Sequence, residues 1–255
     1  MPGMTERALT FGAVAQAYER YRPGYPAELA ERVLDYAGTP VADALEIGAG
    51  TGKMTRVFAG RGIAVTATDP DPAMLAELRK HVPAEVETRQ GALEDLRPER
   101  QYGLVYSAAA LHWTDPAGRW PRIAALLAPG GVFASVGGPA ELADPVVRQA
   151  VEEAQAPFLD SAEIPSPDGT PPESKLRWPG TELEKSQLFA DVRQFVVSER
   201  LTLRADEYVG LLSTVSAYLM LPISVRQQVF QRIRQVLPDT VELAADHTVH
   251  VARRR

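Results

Sequence analysis

Residues 45–54 read LEIGAGTGKM, an apolar run that opens into glycines at three alternate positions, Gly48, Gly50 and Gly52. Without side chains, such a loop lets its backbone approach a ligand closely, and the spacing restricts which ligand. A phosphate-binding P-loop needs four residues between its first glycine and Gly-Lys, followed by a hydroxyl for magnesium. Here three residues lie between Gly48 and Gly52, and Met54 stands at the hydroxyl position. A dinucleotide loop is spaced G-x-G-x-x-G; Gly48 and Gly50 fit, but Lys53 takes the third place, which weakens a nicotinamide-dinucleotide site without removing it. What remains is E-x-G-x-G-x-G beginning at Glu46. A carboxylate there is a poor neighbour for a pyrophosphate and a good one for a ligand carrying an ammonium and a sulfonium. Asp69 ends the next β-type run, where its carboxylate can accept from both hydroxyls of a ribose. Dinucleotide enzymes use an acid in the same way.

The elements that must hold these residues can be read from hydrophobic period. PAELAERVLDYAG predicts a helix with Pro26 at its start, one apolar face of Leu29, Val33, Leu34 and Ala37, and Gly38 as the stop. Strand-type runs ALEI, IAVTAT, AEVETRQ, YGLVYSAAA and GGVFASVG then alternate with helical stretches GKMTRVFAG, DPAMLAELRKH and DPAGRWPRIAALL. That alternation predicts a parallel sheet with helices on both faces and ligands at the carboxyl ends of the strands. Farther on, VRQFVVSERLTL reads as a strand, ADEYVGLLSTVSAYLML and SVRQQVFQRIRQVL as two helices, and TVELAADHTVHVARR as a last strand. In that strand Val241, Leu243, Ala245, His247, Val249 and Val251 share one face. The two late strands predict an antiparallel edge. The Pro-, Ser- and acid-rich stretch APFLDSAEIPSPDGTPPESKLRWP reads as a surface excursion or lid.

Composition narrows the class. A chain of 255 residues with 45% hydrophobic content can bury one large core, so a single domain is expected: a cap over 1–40, a cofactor-binding core over 41–138, a lid and substrate-side insertion over 139–220, and a closing helix and strand over 221–255. A net charge of −6 argues against nucleic acid as a partner. Arg253, Arg254 and Arg255 make the only tight basic run and read as a frayed, solvated tail. The chain has no cysteine, which excludes disulfides, thiolate metal sites and a cysteine nucleophile. His247 and His250 fall on opposite faces of their strand, and neither H-E-x-x-H nor G-x-S-x-G occurs, so no metal site or serine nucleophile is expected. The opening MPGMTERALT carries charges with no following apolar stretch of signal-peptide length, and no segment approaches a membrane span. The expectation is a cytoplasmic protein with no membrane partner, and an apolar helix around Leu211–Leu221 makes a homodimer reasonable.

ALEIGAGTG, the strand-terminal Asp69, QGALEDL and LVYSAAALHW, in this order, resemble the successive motifs of class I S-adenosylmethionine-dependent methyltransferases. YERYRPGYP and the paired HW resemble the small-molecule branch that includes trans-aconitate methyltransferase-like proteins. The resemblance spans about Phe11 to Arg253 and implies an α/β Rossmann-like fold: a seven-stranded, mostly parallel sheet with an antiparallel edge strand and a helical or loop lid. It implies S-adenosyl-L-methionine as donor and S-adenosyl-L-homocysteine as product. Glu46, Gly48, Ala49 and Gly50 would surround the methionine moiety, and Asp69 would take the ribose. Pro70 and Met74 would flank the adenine, with Ala92, Leu93 and Glu94 near its edge and Ser107 and Ala108 under the sulfur. Leu93 stands where the family often has a smaller residue, and Gly103 where the fourth strand usually opens with aspartate.

Methyl transfer from a sulfonium is an in-line displacement that needs alignment and a dry pocket more than side-chain chemistry. A base matters only for an acceptor protonated at neutral pH. His112 is the candidate for that role, against the alternative that it orients its turn, and Tyr21 is a second catalytic candidate. Tyr18, Arg22, Tyr25, Trp113 and Trp178 are candidate substrate contacts, Arg22 as a clamp for a carboxylate. Trp120 is expected to pack within its helix. The expected acceptor is a small molecule, with a carboxylate or phenolic oxygen preferred. A dinucleotide-dependent oxidoreductase and a non-catalytic S-adenosylmethionine-binding subunit are the rival readings.

Overall fold

The computed structural model describes residues 11–138, 140–159, 166–171 and 173–255. Contacts divide the chain into two compact units. The larger comprises the described residues of Gly24–Gly137, Pro165–Val197 and His247–Arg255; the smaller, those of Met1–Pro23, Gly138–Ile164 and Ser198–Asp246. Sequence order suggested four consecutive segments, whereas the units interleave. In particular, residues 166–197, expected in the lid insertion, group with the glycine loop's unit.

In the larger unit five parallel strands, β1 (Asp43–Ile47), β2 (Ala64–Asp69), β3 (Glu87–Gln90), β4 (Tyr102–Ala108) and β5 (Leu127–Gly137), lie in the order β3-β2-β1-β4-β5. The chain winds outward from β1 in both directions, so β1 and β4 flank the topological switch point, where open α/β sheets bind ligands. Strand side chains alternate between faces, and both faces are covered. Ala44, Leu104 and Tyr106 pack with Leu29, Val33 and Phe58 on one side, while Leu45, Ile47, Val105 and Phe133 pack with Leu111, Ile123 and Leu183 on the other. Double burial is why these strands read as continuous apolar runs. The helix Ala27–Ala37 ends where Gly38 turns left-handed at φ 68°, and the helix Pro72–Leu78 starts at Asp71, whose carboxylate accepts the Ala73 N–H. Trp120 packs as expected, edge-on to Phe133 and Phe189.

The last strand, β8 (Thr240–Arg254), pairs antiparallel with β5 from Gly137↔Thr248 to Val132↔Arg253. Burial alternates along it up to His247 and is continuous from there to Ala252, because pairing with β5 begins at Thr248 and both faces are then covered. The fold class agrees with the sequence expectation, and among the described residues the sheet has eight strands where seven were expected. Short β6 (Ala140–Leu142) pairs antiparallel with Leu243–Ala245, and long β7 (Phe189–Arg204) also pairs with β8. Three residues of β6 are too few to carry a period of two.

The smaller unit packs the helices Ala15–Tyr21, Pro145–Gln155, Ala205–Leu212, Ser216–Leu219 and Ile223–Val236 around Leu142, Val151, Tyr208, Tyr218, Val229 and Ile233. Residues 205–221, expected as one helix, break at Thr214. There the hydroxyl turns back to the Leu211 carbonyl, while Arg22 takes the Thr214 carbonyl and hydroxyl through Nη2 and Nε. Leu211, Leu212 and Tyr218, part of the apolar helix on which a homodimer was expected, fill this unit's own core, while Met220 is exposed. The helix Pro145–Gln155 had a sequence signal in Asp144-Pro145, and Asp144 does cap it.

The terminal arginines are not a frayed tail. Arg253 donates to the carbonyls of Gly130, Tyr36 and Ala37, Arg254 to that of Leu127, and Arg255 to that of Phe189. Tyr36 and Ala37 form the last turn of a helix, whose unpaired carbonyls favour a cation. Arg253→Ala should therefore cost about 1–2 kcal/mol in urea unfolding; a loss near zero would return the arginines to a solvated role.

Candidate functional site

The glycine loop leaves β1 through Gly48, at φ 69°, and a Cβ there would lie 2.4 Å from the Cβ of Ala110. Gly48 is thus required twice, by its left-handed backbone and by the segment that follows β4. The loop is tied to the end of β2 by Asp69. Its Oδ2 accepts the Gly50 N–H at 2.9 Å, its Oδ1 the Asp71 N–H at 2.9 Å, and its main-chain carbonyl the Gly91 N–H at 3.0 Å. The side chain is 8% exposed, and burial pushes its pKa up to about 6 despite the two amides that favour the charged form.

Glu46 points into the sheet's interior side, with the residue only 1% exposed. The hydroxyls of Thr55 and Tyr106 both donate to its Oε2, and Thr68 donates to its main-chain carbonyl. Burial raises its pKa to about 8, the two hydroxyl bonds working against that rise. Tyr106 is pushed well above its ordinary value by burial and then by the Glu46 charge. Glu46 therefore joins β1 to β4 and to the helix Lys53–Ala59, a role the sequence reading did not give it.

Of the remaining loop residues, Met74 brings its methyl carbon 3.4 Å from where a Gly50 Cβ would stand. Ala49 is buried, with its N–H on the Thr68 carbonyl. Pro70 accepts from the Gln90 side chain through its carbonyl. Ala92 gives its N–H to Asp95, Leu93 is buried in the apolar cluster under β1, and Glu94 accepts the Asp115 N–H at 2.7 Å. The side chain of Leu93 is thus core. Ser107 commits its hydroxyl to the Ile47 carbonyl at 3.0 Å, and Ala108 ends β4. Ala109 then adopts φ 53°, a left-handed backbone that costs a non-glycine residue free energy and often accompanies a functional turn. Nothing in the run SAAA announces it. Thr51 buries a hydroxyl with no hydrogen-bond partner among the described residues.

His112 and Trp113 sit together on the short turn Leu111–Trp113, their ring centres 4.5 Å apart. Tyr25 lies 5.5 Å from His247, ring centre to ring centre. Tyr18, Tyr21 and Arg22 belong to the smaller unit, where the Arg22 guanidinium lies over the Tyr18 ring and the Tyr21 ring occupies the space a Gly210 side chain would need. Trp178 packs against the larger unit's apolar cluster with Arg119 over its ring. That placement fits a structural tryptophan better than the substrate contact expected on a lid. Thr55, Tyr106, Thr114 and Arg119 went unread. The pairing of Glu46 with Tyr106 across β1 and β4 becomes visible only once the register is known.

Comparison with known proteins supplies the class. A family model described as a methyltransferase domain matches residues 45–135. An uncharacterised methyltransferase of Mycobacterium tuberculosis, strain H37Rv, is 32% identical over 239 residues, 94% of this chain and 90% of that protein. A trans-aconitate 2-methyltransferase of Methylobacterium nodulans is 37% identical over 121 residues, 46% of this chain and 45% of that one. Among solved structures, one described as a type II methyltransferase from Anaeromyxobacter dehalogenans aligns with a TM-score of 0.64 at 22% identity, covering 91% of this chain and 98% of the other. The chain belongs to the methyltransferase family. Its fold is that of the S-adenosylmethionine-dependent enzymes, and S-adenosyl-L-methionine is its cofactor.

Glu46 and Asp69 have folded-state pKa values above their ordinary ones of 4.5 and 3.8, so folding favours their protonated forms. Stability is then fully present below the ordinary values and falls as pH rises, through about 6 for Asp69 and about 8 for Glu46. Urea midpoints of the ligand-free protein should fall between pH 5 and 8 by this contribution, and Glu46→Gln should flatten the upper part of the fall. An equally steep fall in the variant would place the titration elsewhere.

Proposed function

We propose that the protein methylates a small-molecule acid, and that the loop 46–52 with Asp69 holds the donor. The observation that carries this reading is the buried tie between Asp69 and the Gly50 amide. It fixes a carboxylate and a bare glycine backbone side by side at the switch point of the sheet. The residues present suit the donor: the Asp69 carboxylate for its ribose, a glycine backbone for its amino-acid part, and the unsatisfied Thr51 hydroxyl within the same loop. When bound, S-adenosyl-L-methionine supplies an electrophilic methyl group. Asp69 would accept the ribose hydroxyls, Pro70 and Met74 would flank the adenine, and the backbone at Ala92–Glu94 would border its edge. Ser107 and Ala108 would lie beneath the reacting centre. In that role Ser107 acts through its position, because its hydroxyl is spent on Ile47.

A carboxylate acceptor fits best. It is a nucleophile at neutral pH and asks no base of the protein, and the partial match to trans-aconitate 2-methyltransferases points the same way. Arg22 is the proposed carboxylate ligand, held in one orientation by its two bonds to Thr214. In the smaller unit Tyr18 and Tyr21 are the proposed acceptor contacts, and in the larger unit Tyr25 and Trp113 are. His112 or Tyr21 would handle a proton only for a phenolic acceptor. No helix among the described residues is long and apolar enough to cross a membrane; a cytoplasmic site of action belongs to the proposal. Membership of the methyltransferase family leaves the dinucleotide alternative without support.

S-adenosyl-L-homocysteine at a hundred times its Kd should stabilise the protein by about 2.7 kcal/mol, and NAD should not. A stabilising effect of NAD with none from the homocysteine would overturn the donor assignment. In a panel of acids that includes trans-aconitate, Arg22→Ala should lower kcat/KM by about tenfold or more, in line with the loss of a charge-assisted hydrogen bond. Unchanged turnover would remove Arg22 from the acceptor site.

A further inference from the structure

Arg119 opens the helix Arg119–Leu126 and is 1% exposed, which is unusual for a guanidinium. Its Nε donates to the Thr114 hydroxyl at 2.7 Å, its Nη2 to the Thr114 carbonyl at 2.8 Å, and its Nη1 to Glu182 Oε2 at 3.3 Å. Glu182 is held in turn by the indole N–H of Trp120 at 2.8 Å, and the Trp178 ring covers the guanidinium 5.2 Å away. A buried cation with a single carboxylate partner is costly to maintain, so the groups it organises bear on why it is there. They converge on one segment. The Thr114 hydroxyl donates to the Leu111 carbonyl, closing the turn that carries His112 and Trp113, and the next N–H, of Asp115, goes to Glu94.

We propose that Arg119 is a positioning residue for methyl transfer, locking the Leu111–Thr114 turn and, through Asp115 and Glu94, the Ala92–Asp95 loop into one rigid rim for the donor. This rests on the donor assignment above, in which the Ala92–Glu94 backbone borders the adenine. A burial role alone would be met by an apolar side chain of the same length. The fork of three donors would not, because it fixes a carbonyl and a hydroxyl of the same residue at once.

The test is calorimetric titration with S-adenosyl-L-homocysteine of the wild type, Arg119→Met, Arg119→Lys, Thr114→Val, Glu94→Ala and the Arg119→Met/Glu94→Ala pair, with thermal unfolding of each as control. Arg119→Met should weaken binding by about tenfold and Arg119→Lys by less, since lysine keeps the charge near Glu182 and loses the fork. In the Glu94→Ala background the same Arg119→Met change should cost no more than about twofold, because the connection it serves is already cut. Thr114→Val carries the test if Arg119→Met does not fold, with the same expected weakening. Wild-type binding with unchanged affinity in the folded variants, or affinity losses that multiply independently of Glu94, would overturn this proposal alone. Absence of binding by the wild type would overturn the donor assignment together with it.

Discussion

The contact between the Asp69 carboxylate and the Gly50 amide organises the carboxyl edge of the larger unit's parallel strands. One oxygen holds the glycine loop after β1, and the other holds the chain as it turns into the helix Pro72–Leu78. A buried acid is favourable only when its charge is met by well-placed donors, and here the donors are main-chain N–H groups that cannot swing away. The loop conformation therefore depends on a carboxylate at this position, and the carboxylate depends on glycines that let the backbone reach it. Glu46 adds a different tie one strand over, where the hydroxyls of Thr55 and Tyr106 join β1, its following helix and β4 into one block.

These buried polar ties fix the backbone at the carboxyl ends of the strands, which suits methyl transfer, a reaction that requires alignment above all. Methyl transfer gains most from holding two reactants in line, and a loop anchored by backbone amides has little freedom to lose when a ligand arrives. Arg119 belongs to the same pattern, as do the terminal arginines, which secure β8 against the carbonyls of the helix Ala27–Ala37 and of neighbouring strands. Arg119 and the terminal arginines spend charged side chains on main-chain carbonyls, fixing the backbone directly.

The parallel core was legible in the sequence because strands buried on both faces leave unbroken apolar runs, and because Gly38, Asp71 and Pro72 mark helix ends by local chemistry. The glycine loop and Asp69 were legible for the same reason: their spacing is itself the constraint. What could not be read depended on distant partners. The break at Thr214 follows from Arg22, 192 residues earlier; the docking of Arg253 follows from a helix end 217 residues before it; and the inward turn of Glu46 follows from a register that pairs it with Tyr106. The interleaving of the two units was equally hidden, since residues 166–197 look like an excursion until Leu183 and Phe189 are seen in the core. Among the candidate site residues, the loop set is brought together, whereas Trp178 turns out to cover Arg119.

The central claim is that the loop after β1 and the acid after β2 hold an adenosyl sulfonium donor. A crystal structure of the protein with S-adenosyl-L-homocysteine tests it most directly. The account predicts both ribose hydroxyls within hydrogen-bond distance of the Asp69 carboxylate and the amino-acid portion along Gly48–Gly50. A ligand seated elsewhere, with Asp69 still bonded only to the amides of Gly50 and Asp71, would contradict it.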